Sequence, residues 1–77
     1  MKNLYEIDNN QVGTITKLDN HPDSKLRLAE MGVMPGVNIR LVKKTPLGGP
    51  VQIKINNYYL TLRKEDALLI HLEIITS

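Results

Sequence analysis

Cysteine, phenylalanine and tryptophan are all absent from this 77-residue chain. Without cysteine, neither a disulfide framework nor a thiolate metal site can brace a small fold, and the composition fits a reducing compartment. Without phenylalanine or tryptophan the core must be built from Leu, Ile, Val and Met, and three tyrosines supply all the aromatic surface. A chain of this length buries only about 60% of its extended surface, so one compact, closed domain spanning 1–77 is expected. Long apolar runs are missing too. The longest, Ala67 to Ile70, falls far short of the ~20 residues that cross a bilayer. The opening MKNLYEID has Glu6 and Asp8 where an export signal would place its apolar stretch. These absences lead us to expect a soluble, cytoplasmic protein with no direct membrane insertion. Charge excludes less: a net +2 and a pI near 9.0 permit an acidic partner without demanding nucleic acid.

What is present reads as strands around one short helix. Gln11 to Leu18 is rich in Thr, Val and Ile and predicts a strand with Gly13 as a bulge or bend. DNHPDS (19–24) is turn chemistry that runs into a helix over about 23–31, with Asp23 at the positive end of its dipole. Gly32 reads as the left-handed residue past that helix and Val33 as the apolar contact that follows it. Pro35 and Gly36 fit the centre of a type II turn. From there the period becomes two. Val37, Ile39 and Leu41 form one alternating set, Val51, Ile53 and Ile55 a second, and Tyr58, Leu60 and Leu62 a third. Asn56-Asn57 is a candidate two-residue hairpin turn. KEDA (64–67) predicts one helical turn, and Leu68, Ile70 and Leu72 a last strand. The expected fold is mainly β, a small barrel of about five strands with its helix between the first and second.

The stretch TPLGGPVQI (45–53) invites comparison with a phosphate-binding loop. Such a loop needs a lysine after its glycines and then a helix N-terminus. Here Lys43 and Lys44 precede Gly48 and Gly49, and a period-two strand follows, so a strand connection is the reading. Among metal ligands, His21 with Asp23 and Asp19 forms a weak cluster, and His71 is a distant candidate with no recognisable ligand spacing. His71 is expected on the wet face of its strand. Most of the acids fall in turns or on solvent faces, and no nucleophile–base constellation stands out, so no enzymatic activity and no cofactor are expected. Nucleic acid is the alternative for a small basic barrel. Arg40, Lys43, Lys44, Lys54, Arg63 and Lys64 could gather on one side, but single-strand binders use aromatic platforms, which are scarce here.

Taken in order, Met31-Gly32-Val33, Pro35-Gly36, Pro46-Leu47-Gly48-Gly49-Pro50, Leu62-Arg63 and Ala67 closely resemble the FeoA family over residues 26–73. The resemblance implies an SH3-like barrel, and a cytoplasmic accessory of ferrous iron uptake that contacts the cytosolic side of the FeoB transporter. Iron and GTP belong to that partner. The same module also occurs fused to metal-dependent repressors, which keeps a metal-responsive role as a third reading. Asn56-Asn57 departs from the family, which usually has a glycine there. Gly32, Pro35, Gly36, Asn56 and Asn57 are read as structural turns. Met34, Lys43, Lys44, Leu47, Gly48, Gly49, Arg63 and Lys64 are the candidate partner face; the alternative is that Met34 and Leu47 plug the barrel ends.

Overall fold

Period-two patterning is realised directly in β4 (Val51–Ile55), where Val51, Ile53 and Ile55 are fully buried and Gln52 is exposed. The structure is a computed structural model that describes residues 2–75. Around β4 run β1 (Lys2–Asn3), a 3-10 turn (Leu4–Glu6), β2 (Val12–Leu18), α1 (Pro22–Glu30), β3 (Asn38–Lys44), β5 (Tyr58–Leu62), α2 (Lys64–Ala67) and β6 (Ile70–Ile74). All six strands pair antiparallel in one sheet, ordered β1-β6-β2-β3-β4-β5. The strand β1, two residues long, joins the five read from the pattern. The last strand starts at Ile70, because Leu68 caps α2 instead.

Register shifts between Ile15 and Lys17 and between Leu41 and Lys43 bend the sheet around its core. The bulge in β2 therefore falls at Thr16. Gly13, expected to bulge, instead pairs in register with both Ile39 and Ile74. It is glycine for another reason: a Cβ there would lie 3.0 Å from Leu72 Cβ and 3.1 Å from the Glu73 carbonyl.

The core inside this curl is aliphatic, from Leu4 and Ile7 through Ile39, Leu41 and Ile53 to Ile70 and Leu72. Leu4 and Ile7 are held in place by a capping box. The Asn3 side chain accepts from the Tyr5 N–H at 2.9 Å, and the Glu6 carboxylate accepts from the Asn3 N–H at 2.9 Å. This fixes Tyr5 beside the far end of β3.

The helix α1 buries Ser24 and Leu28 and leaves Leu26 exposed. It ends in a Schellman motif: Val33 donates to the Leu28 carbonyl at 2.8 Å and Gly32 to that of Ala29 at 3.0 Å. Gly32 has φ +88°, and Tyr58 Oη, which donates to the Met31 carbonyl at 2.6 Å, lies 2.7 Å from where a Cβ would stand. Past it, Val37 donates to the Met34 carbonyl at 3.2 Å with Gly36 at φ +93°, a type II turn. In the hairpin between β4 and β5, Asn56 takes φ +53° without a glycine.

Candidate functional site

The chain between β3 and β4 closes when Thr45 donates to the Pro50 carbonyl at 3.0 Å. Within that turn, Leu47 has φ +64° and Gly48 φ +73°. Left-handed backbone is routine for glycine but costs a leucine about 1–2 kcal/mol. The side chain recovers nothing from the core, because Leu47 is completely exposed, at 104% of its reference surface. It plugs no barrel end. An apolar side chain held out on a strained backbone suits a contact surface better than it suits the isolated fold.

Cations surround the base of this tip. Lys44 Nζ donates to the Tyr5 carbonyl at 3.1 Å and lies 5.7 Å from the Tyr5 ring centroid. Lys64 Nζ lies 5.3 Å from the same centroid. That ammonium would also stand 3.4 Å from a Cβ on Gly48. The tyrosine ring thus gathers two lysines under the loop. Lys43, opposite Gln52 on the adjoining strand, is exposed. Gly48, Gly49, Pro50, Arg63, Lys64 and Glu65 line a shallow depression of about 230 Å³ beside the tip.

Arg63 reaches this depression from a fixed position. Its Nε and Nη2 each lie 3.3 Å from Asp66, whose carboxylate also accepts from Arg27 Nη2 at 2.9 Å. Asp66 is 3% exposed. Burial alone would push its carboxyl up; the hydrogen bonds and charges of Arg63 and Arg27 together outweigh burial and hold it below the ordinary carboxylate value. This pair of contacts ties α1 to α2 and holds the Arg63 guanidinium against Asp66.

Of the residues singled out from sequence, Lys43, Lys44, Leu47, Gly48, Gly49, Arg63 and Lys64 come together at one end of the molecule. Met34 does not. It sits 44% exposed in the turn before β3, at the opposite end of a seven-residue strand, which at strand rise is about 20 Å long. His21 is exposed at the N-cap of α1, where its side chain makes no capping hydrogen bond. Asp23 is exposed in the first helical turn. His71 is half-buried rather than solvated, with Nε2 2.8 Å from Asp19 Oδ1. The bulge at Thr16 shifts the pairing so that His71 faces Lys17 and reaches Asp19. Among the described residues no group of three or more His, Cys, Asp or Glu is placed to hold a metal ion. Sequence reasoning passed over Tyr5 and Asp66. One partner of each lies 39 positions away, Lys44 for Tyr5 and Arg27 for Asp66; only the Arg63–Asp66 contact, three residues apart, has a local spacing.

The curled sheet with its helix between β2 and β3 defines a small SH3-like module. Residues 2–74 match the FeoA domain model. Over 74 residues the chain is 34% identical to an Fe(2+) transport protein A/Fe(2+) transporter FeoB fusion protein of Porphyromonas gingivalis; the match covers 96% of this chain and 9% of that one. It is 34% identical to the iron(II) transport protein A of Clostridium thermocellum, with a TM-score of 0.88 over 95% of this chain and 45% of the other. The zinc complex of Stenotrophomonas maltophilia FeoA, described as an SH3 domain protein, shares the fold at a TM-score of 0.78 and 23% identity, over 95% and 91% of the two chains. This chain belongs to the FeoA family. It spans about 9% of the length of its fusion relative, in which a FeoA segment and a ferrous iron transporter are one polypeptide.

Proposed function

We propose that this chain is a non-catalytic, cytoplasmic accessory of ferrous iron uptake that docks through its 45–50 tip on the cytosolic part of a FeoB-type transporter. The observation that carries the reading is the tip itself: a fully exposed leucine on left-handed backbone, with Lys43 and Lys44 at the strand end that leads into it and Arg63 and Lys64 lining the depression beside it. The fusion relative supports the choice of partner, since two segments encoded in one polypeptide are held at high effective concentration. In this mechanism Leu47 enters an apolar pocket and excludes water, while the lysines select an acidic rim and speed encounter. Tyr5 and Asp66 act at one remove by holding Lys44, Lys64 and Arg63 in position. No described helix is long and apolar enough to cross a membrane, so the chain would meet the transporter through the transporter's own solvent-exposed surface. Titration of the purified cytosolic part of the cognate transporter, with wild-type chain and with Leu47→Asp, tests this. Saturable binding that Leu47→Asp abolishes while the variant stays folded is the expected result. Equal binding by both proteins removes the tip from the interface.

A further inference from the structure

A second basic feature lies on the outer face of the sheet, away from the tip. The register places Val12 opposite Arg40, Arg40 opposite Lys54, and Lys54 opposite Tyr59, so one row crosses β2, β3, β4 and β5. At its centre two cations stand directly opposite each other, an arrangement that destabilises a strand pair. Neither forms an ion pair among the described residues. The Nε of Arg40 is shut off from solvent and has no hydrogen-bond partner there, an omission that folded proteins rarely tolerate. Lys54 Nζ is steadied 5.6 Å from the Tyr59 ring centroid. Arg40, Lys54, Asn38, Asn56, Val12 and Val37 line an open bay of about 560 Å³. Asn38 already uses its carbonyl oxygen to accept from Thr14 Oγ1 at 2.8 Å, which leaves its NH₂ group as a donor.

We propose that this bay is an oxyanion site that takes the carboxylates of an acidic segment of a partner protein. Apart from the Asn56 amide oxygen, the uncommitted side-chain polar groups in it are donors or cations, so the missing element is an acceptor with negative charge. Its shape selects the source. The bay's lining runs from Val12 across Arg40 to Lys54, two strand spacings or about 10 Å, and along the start of β3 from Val37 to Arg40. A strip fits successive side chains of a chain segment, whereas a lone ion needs a cup that surrounds it. Val12 and Val37 give the segment apolar wall to lie against. Arg40 supplies a planar fork for one carboxylate, and Lys54 a point charge for the next. The inference rests on the reading that the chain works by protein contact, but it uses a surface separate from the Leu47 tip.

The test is a ¹⁵N–¹H NMR titration of the whole chain with a capped tetraglutamate peptide, with tetraglutamine and inorganic phosphate as further ligands. Tetraglutamate is expected to give saturable shifts at the amides of 12, 38–40, 54 and 56, weakening as salt rises, with no response to tetraglutamine. Arg40→Gln and Lys54→Gln should each weaken the peptide about tenfold or more. Lys54→Gln keeps the aliphatic stem of a half-buried side chain and serves if Arg40→Gln fails to fold. Shifts scattered over Lys43, Lys44 and Lys64 instead, or affinity unchanged in folded Lys54→Gln, would overturn the site. Phosphate binding at the same amides more tightly than the peptide would overturn the assigned occupant. None of these outcomes depends on the transporter or on Leu47, so failure here is distinct from failure of tip docking.

Discussion

Replacing Leu47 by glycine should raise stability and lower affinity at once, and the two signs separate a contact residue from a structural one. At φ +64° a leucine carries a backbone penalty of about 1–2 kcal/mol, which glycine removes. Glycine in turn adds freedom to the unfolded chain, at a cost of about 0.5–1 kcal/mol. Because the leucine side chain is wholly exposed, no packing term opposes the change. The net is a gain of about 0.5–1 kcal/mol, or roughly 2–8 °C in Tm for a domain of this size. Binding moves the other way. A leucine fully buried in a partner pocket contributes about 1.5–3 kcal/mol, so its loss should weaken the complex roughly tenfold to 150-fold. Differential scanning calorimetry gives the first number and isothermal titration the second. Leu47→Ala is the control: it retains the strained backbone, so it should lose affinity without gaining stability. A Tm that falls by several degrees in Leu47→Gly would show that the side chain holds the fold, and the reasoning about an outward tip would fail.

Gly32→Val should cost at least about 2 kcal/mol, since it meets both a positive φ and the Tyr58 hydroxyl; a variant with unchanged chemical denaturation would contradict the assignment. Tyr58→Phe, which removes only the bond to the Met31 carbonyl, should cost about 1 kcal/mol by the same assay. Asp66 has a folded value below its unfolded one, so its stabilisation is full above the unfolded value near 3.9 and is lost as pH falls through the folded value. Asp66→Asn should therefore cost about 2 kcal/mol at pH 7 and flatten the acid limb of a stability–pH curve; an acid limb identical to wild type would refute the arginine clamp.

Where structure follows from neighbours in the chain, the sequence was enough. The alternation in 51–55, the glycine past α1, the Pro35-Gly36 turn and the Asn56-Asn57 hairpin all involve contacts within a few residues, and each appears where the pattern puts it. Features set by distant pairing were hidden. The bulge at Thr16 depends on how β2 meets β6, and the crowding that requires Gly13 comes from Leu72 and Glu73. The candidate face was half legible. Lys43, Lys44 and Leu47 are adjacent in sequence, but Lys64 and Arg63 join them only because the fold closes. Met34 separates from Leu47 because a whole strand lies between them, a length that counting residues does give. A glycine pair also draws attention to itself as the site of left-handed backbone, whereas Leu47 takes that conformation with Gly48, and Gly49 is instead confined by Thr45.

The central claim is tip docking on the transporter, and site-specific crosslinking tests it most directly. A photoreactive residue at position 47, expressed with the cognate FeoB-type transporter in iron-limited cells, should capture that transporter, and one at position 26, on the exposed side of α1, should not. Capture from position 26 but not from 47, or from neither, would contradict the account.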